Sequence, residues 1–175
     1  MEKNGAGSRI LFSKCRLRDC REVFRLFKSS FPSIAENEIS HLIRKYRRQI
    51  RIGRVDTEAV AFTINLPGKR SRLAWLEQIG VAPAEQGKGL GRRALSDFEE
   101  QCALQGYDRI ELNVKIKDVN AVLLYRSSGY KQLDRPGEDL SFFKDLKPTG
   151  SLIPQKLPGL IETVLTKLLF KVLVR

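Results

Sequence analysis

A strand that runs directly into three alternating glycines and then into an amphipathic helix leaves few folds open, and residues 81–95 (VAPAEQGKGLGRRAL) form such a run. Leu90, Ala94, Leu95, Phe98 and Cys102 fall on one face of a helix that stops before Gly106. Glycines at 87, 89 and 91 free the backbone of Cβ obstruction, so successive N–H groups can close around phosphate oxygens while the positive end of the helix dipole points at them. Lys88, Arg92 and Arg93 add mobile positive charge. A diphosphate suits this arrangement, and a tight turn that merely caps a helix suits it equally. Two other phosphate loops are excluded by spacing. A P-loop needs GxxxxGK followed by Ser or Thr, whereas Lys88 precedes Gly89, and a dinucleotide turn needs GxGxxG, whereas the third glycine here comes two residues after the second.

Hydrophobic spacing on either side of this segment lays out the remaining elements. A strand around Arg9–Phe12 precedes helices over Asp19–Phe31 (Val23, Phe24, Phe27, Phe31) and Glu36–Tyr46 (Ile39, Leu42, Ile43, Tyr46). Ile50–Arg54, Ala59–Leu66 and Arg72–Val81 read as an antiparallel meander with turn signals at Gly53 and Pro67-Gly68. After the glycine turn and its helix, Arg109–Val114 alternates as a strand with Ile110, Leu112 and Val114 on one side. A helix over Asp118–Ser128 and strands near Tyr130–Leu133 and Leu140–Leu146 complete one domain over 9–146, preceded by a polar N-terminus at 1–8. With 42% hydrophobic residues in 175, the chain can bury a core of its own.

Charge and cysteine content exclude several function classes. The net charge of +12 is divided as +9 over residues 1–54, −1 over 55–146 and +4 over 147–175, so the helices at the start carry the basic character. Such asymmetry points to an anionic partner or to a solvated basic face. Without several interleaved aromatics no nucleic-acid partner is expected. The three cysteines, Cys15, Cys20 and Cys102, have no paired spacing, which predicts reduced thiols in a cytosolic protein. One histidine, His41, is expected on the exposed side of a polar helix, so no zinc site or Ser-His-Asp triad is expected. The polar Met1–Ser8 is no secretory signal, and the apolar-rich Leu160–Val174 is broken by Glu162, Lys167 and Lys171 and is too short to span a bilayer.

Gln86-x-x-Gly89-x-Gly91 after Ile79-Gly80-Val81-x-Pro83, together with Ala121-Val122-x-Leu124-Tyr125 and Gly129-Tyr130, resembles the GNAT superfamily of acyl-CoA-dependent N-acyltransferases. The likeness covers residues 9–146. It implies a mixed α/β fold: a mostly antiparallel central sheet with a splayed parallel pair, flanked by helices. The parallel pair would be the strand ending at Val81 and the strand Arg109–Val114. It further implies that Gln86, Gly87, Lys88, Gly89, Leu90, Gly91 and Arg92 hold the pyrophosphate of acetyl-CoA. Ile79, Gly80 and Val81 would pair with the pantetheine arm, and Asn113 and Asn120 would lie along the cofactor. The implied chemistry is direct attack of a neutral amine on the thioester in a ternary complex, with a backbone N–H, that of Val81, facing the oxyanion.

Tyr125 matches the family's tyrosine beside the sulfur, where a phenol can protonate the leaving thiolate; as a plain reading it is also an ordinary core aromatic. Glu77 resembles a position where several members hold the amine or relay its proton, and it also reads as a carboxylate that only bonds a neighbouring strand. Two residues depart from the pattern. Asn113 stands where N-terminal protein acetyltransferases often have glutamate, and an amide takes no proton. Asp118 stands where asparagine is common, and Asn120 is the substitute.

The acceptor is expected between Ser29–Glu36 and Asp134–Asp139, whose three acids would attract a cationic small-molecule or peptide amine. A catalytically inactive fold relative serving as a basic interaction module is the competing reading. Beyond the linker Lys147–Ser151, residues Leu157, Leu160, Ile161, Val164, Leu165, Leu168, Leu169 and Val172 form an apolar helical stripe. That stripe calls for cover by the domain, by a second copy in a homodimer, or by a membrane surface facing Lys167, Lys171 and Arg175.

Overall fold

The structure, a computed structural model, describes residues 10–68 and 72–147. The expected polar N-terminus and C-terminal helix lie outside the described residues. Strands β1 (Ile10–Lys14), β2 (Ile50–Val55), β3 (Glu58–Pro67), β4 (Leu73–Val81), β5 (Arg109–Lys115), β6 (Lys131–Leu133) and β7 (Asp139–Asp145) form one sheet in the order β1-β2-β3-β4-β5-β7-β6. All neighbours are antiparallel except β4 and β5. Helices α1 (Cys20–Ser30) and α2 (Glu36–Tyr46) lie between β1 and β2, α3 (Leu90–Leu104) crosses from β4 to β5, and α4 (Val119–Ser127) follows β5. The parallel pair has a structural necessity: a crossover helix between adjacent strands returns the chain to the same end of the sheet.

Two apolar clusters hold these layers. Val23, Leu26 and Phe27 of α1 and Ile39 and Ile43 of α2 pack on Ile50, Ile52, Phe62 and Ile64, with the Phe27 and Phe62 rings stacked 4.9 Å apart. Leu95, Phe98 and Cys102 of α3 and Val122 and Tyr125 of α4 pack with Ala74, Leu76, Ile110, Leu112 and Phe142. Because helices cover β3 from both sides, residues Ala59–Ile64 are buried without alternation. α2 is oriented by its ends, with Glu36 and Glu38 in its first turn and Arg44 and Lys45 in its last, each sign opposite the local end of the helix dipole.

Two local expectations change. β1 extends to Lys14 rather than ending at Phe12, because it pairs with β2 along its whole length. Gly53 is not a turn but a mid-strand residue of β2, where a Cβ would overlap the Phe12 ring. The turn falls at Asp56-Thr57, with Asp56 at φ 53°, a left-handed conformation that aspartate tolerates. The meander also carries two bulges that the sequence pattern does not show: Val60 is the extra residue in β3 and Glu77 the extra residue in β4.

Candidate active site at the splayed strands

β4 and β5 pair only over Leu73–Trp75 and Arg109–Glu111, after which β5 stays with β7 and β4 stays with β3. The wedge opens after Trp75, next to the bulge at Glu77, as expected near a bulge that bends and overtwists its strand. Which backbone groups face the wedge follows from the ladder. Ala82 N–H donates to the Val60 carbonyl at 2.8 Å, which makes Ala61 and Val81 a non-hydrogen-bonded pair. The N–H and C=O of Val81, and by alternation those of Ile79, therefore point away from β3 toward the wedge. The Val81 carbonyl accepts from Ser30 Oγ at the end of α1 and from Gln86 Nε2, both at 3.2 Å, while its N–H remains directed into the gap.

Gly80 has a different role from the one the resemblance implied. Its backbone groups turn to Phe62 in the ladder, and a Cβ there would overlap the Phe62 ring, so glycine is needed for packing. The glycine turn divides similarly. Gly87 and Gly89 have φ of 78° and 79°, so their backbone conformation requires glycine. Gly91 is helical, and a Cβ there would meet Leu124 at an ordinary 3.5 Å. Gly89 stands before α3 in the left-handed conformation with no side-chain cap, leaving the first-turn N–H groups of the helix without an acceptor among the described residues.

The charge around this turn is fastened rather than mobile. Lys88 pairs with Glu85 at 2.8 Å, and Arg92 donates to the Ser127 carbonyl at 3.0 Å and to Ser127 Oγ at 2.8 Å, tying the first turn of α3 to the end of α4. Arg93 lines a cleft of about 370 Å³ with Glu58, Glu85 and Lys88 on the side of the β2–β3 turn; it lies apart from Tyr125.

Tyr125 is 5% exposed, its ring 5.6 Å from that of Tyr130 and 6.1 Å from that of Phe142, in the cluster that also holds Ile79 of β4 and Val114 of β5. Burial, followed by the negative charge of Asp118, raises its pKa above the ordinary phenol value, so the group is a protonated donor at neutral pH. Glu77 is half-buried and takes no hydrogen bond or ion pair from the described residues. Asn113 is on the opposite face of β5 from Leu112 and Val114, and its Oδ1 accepts from Ser141 Oγ at 2.9 Å. Asn120 is exposed on the first turn of α4. Asp118 caps that helix, accepting from Ala121 N–H at 3.1 Å, which explains why an acid stands at this position.

Sequence reasoning missed the pins at the mouth of the wedge. Lys28 Nζ donates to the carbonyls of Pro32 and Ile34, both at 3.2 Å, and so stitches the α1–α2 loop. Arg135 of the β6–β7 loop donates to Glu111, a carboxylate 7% exposed on β5, at 2.8 Å. Strand alternation gives the face on which Glu111 lies. No short-range signal could have given its partner 24 residues away. Among the described residues there is no cluster of three or more metal-ligating side chains, and no helix is long and apolar enough to cross a membrane.

Comparison with known proteins adds a family to this geometry. The sequence profile described as the acetyltransferase (GNAT) family matches residues 18–130. No curated protein matches the sequence. Among solved structures, the PaiA N-acetyltransferase of Thermoplasma acidophilum in complex with coenzyme A is similar, with TM-score 0.64 and 17% identity over 78% of this chain and 99% of that one. The ribosomal-protein-S18-alanine N-acetyltransferase of Escherichia coli is likewise similar, with TM-score 0.65 and 18% identity over 85% of this chain and all of that one. At such identities the likeness is one of fold.

Proposed function

Because the chain belongs to the acetyltransferase (GNAT) family, we propose that it transfers an acetyl group from acetyl-CoA to a primary amine by direct attack within a ternary complex. The observation that carries this reading is the continuity of donors. The uncapped first turn of α3 follows, across residues 82–89, the strand whose Val81 N–H faces the wedge, and Tyr125 is packed in one cluster with Ile79 and Val114 of the strands that form it.

The residues fit the nucleotide carrier. Amides at Gly89, Leu90 and Gly91 sit at the positive end of a 15-residue helix, where a diphosphate is stabilised. Gln86 and Arg92 act indirectly, the first by holding the Val81 carbonyl and the second by holding α4 against α3. Ile79 and Val81 offer main-chain groups to an extended amide-bearing arm. When bound, acetyl-CoA supplies an activated acyl thioester.

The protein's own contributions are then positional and electrostatic. The Val81 N–H is fixed toward the gap and would meet a carbonyl oxygen as charge develops on it, at no cost in reorganisation. Tyr125 keeps its proton at neutral pH and is the donor for a leaving thiolate, whose reference pKa of about 8.5 makes a hydrogen bond more valuable as charge accumulates. Glu77, engaged by no described residue, is free to take a proton from the incoming ammonium directly or through water. The mouth between the pinned α1–α2 and β6–β7 loops carries Asp134, Glu138 and Asp139, which suits a cationic small-molecule or peptide amine.

Release of free thiol from acetyl-CoA, measured against a panel of polyamines, aminoglycosides and peptides, tests this reading. Amine-dependent release that falls in Tyr125→Phe is expected. Acetyl-CoA binding without release for any amine would favour the inactive interaction module.

A further inference from the structure

Outside the wedge, the cations of this protein fall into two groups. Several in the sheet and its C-terminal half are neutralised locally, as in Arg51–Asp97, Arg72–Asp108, Arg109–Asp145 and Lys144–Glu99, while Lys115, Lys117, Arg126 and Lys131 lie scattered in sequence without an ion pair among the described residues. On the outer surface of α1 and α2 the unpaired cations are clustered. Arg21 and Arg25, one helical turn apart on α1, and Arg44, Lys45 and Arg48 at the end of α2 are exposed and form no ion pair among the described residues. The acids that could neutralise them are turned away: Asp19 and Glu22 both engage Arg54, and Glu36 and Glu38 occupy the far end of α2.

These residues share one surface. α1 and α2 are packed on each other and joined by the short loop at 31–35, so the start of α1 lies beside the end of α2. Cys15, which precedes α1, donates its N–H to the carbonyl of Ile50, which follows α2, at 2.9 Å. Adjoining this surface is a cleft of about 490 Å³ lined by Lys14, Arg16, Arg18 and Arg54 with Asp19 and Asp56. Leu17, between Arg16 and Arg18, is 75% exposed.

We propose that this face of α1 and α2 docks on a membrane surface carrying anionic phosphate headgroups. A wide array of unpaired cations around a protruding aliphatic side chain meets both layers of such a surface, the charges at the headgroups and Leu17 at the acyl boundary. A single-stranded nucleic acid would instead call for exposed aromatics, and the aromatic here, Tyr46, is half-buried with the Lys45 ammonium 4.8 Å over its ring.

The test is co-sedimentation of the full chain with phosphatidylcholine vesicles, with and without phosphatidylglycerol, in about 0.1 M salt, where the Debye length is about 10 Å. Binding to the anionic vesicles alone is expected. Each cation near the surface contributes about fivefold in partitioning, so Arg21→Glu/Arg25→Glu/Arg44→Glu should lose more than tenfold. Leu17→Asp should lose severalfold even where salt has weakened the electrostatic part. Unchanged thermal unfolding and acetyl-CoA binding of both variants show that the fold is intact. Equal binding to neutral vesicles, or full binding by the triple variant, would overturn the proposal. So would tighter binding to a random-sequence RNA that the triple variant abolishes while vesicles are left unbound.

Discussion

Tyr125 and Gly80 show how one residue type carries different demands in this protein. Tyr125 is legible from its sequence neighbours as an aromatic beside the wedge, but a core role and an acid role bury it equally well, and only its hydroxyl separates them. Tyr125→Phe keeps the ring between Tyr130 and Phe142. It should leave acetyl-CoA binding intact and lower kcat by about 10²-fold or more, as loss of a general acid does; single-turnover kinetics with an accepted amine read this directly. Gly80 looks from sequence like part of a cofactor strand, yet Phe62 occupies the space its side chain would take. Gly80→Ala should therefore destabilise the fold by about 1–3 kcal/mol, the usual cost of overpacking, as read from urea denaturation midpoints. Glu77 reads from sequence as a candidate base, but its place in the ladder does not. A bulge has no residue signature, so nothing in Leu76-Glu77-Gln78 announces that this residue is the extra one on its strand.

At the scale of elements, strong periodicity made the helices readable: α2 has the bounds the spacing predicts, and α1 differs by a residue at each end. Irregularities in the ladders were not readable, because they depend on partners brought together from far apart in sequence. Gly53 illustrates this, since a turn and a close approach by Phe12 make the same demand for glycine. The glycine turn that opens α3 is legible in the sequence, but the fastening of Arg92 to the end of α4, 35 residues on, is not. The pin between Arg135 and Glu111 is another long-range device. Arg135→Ala leaves a nearly buried carboxylate without its donor and should cost about 1–3 kcal/mol. In the double variant with Glu111→Gln most of that loss should be recovered, so a double-mutant cycle by denaturation separates the pin from general surface effects.

For the whole molecule, the second apolar cluster joins α3 and α4 to the sheet and also contains buried groups that titrate only in alkali. Burial pushes the Cys102 thiol up to about 12, and it raises the Tyr125 and Tyr130 phenols as well, with Glu99 adding to the effect at Tyr130. In each case the native state holds its proton to higher pH than the unfolded chain, so stability is intact below the unfolded values and declines above them. Unfolding free energy should be level through pH 8, fall from about pH 9 as Cys102 and the likewise buried Cys15 ionise in the unfolded chain, and steepen from about pH 10 as the tyrosines follow, each group adding up to about 1.4 kcal/mol per pH unit. Urea titrations at stepped pH measure this, and Tyr130→Phe should flatten the upper limb.

The account rests on the wedge and the first turn of α3 forming one acetyl-CoA site, and isothermal titration of acetyl-CoA into the wild-type protein and Gly91→Glu tests it most directly. Gly91 is helical with room for a side chain, and an acid in the first turn favours the helix. The variant should therefore fold as well as wild type while placing a carboxylate beside the diphosphate position. Saturable binding by wild type and at least tenfold weaker binding by Gly91→Glu is the predicted result. Equal binding by both proteins, or no binding by a folded wild type, would contradict it.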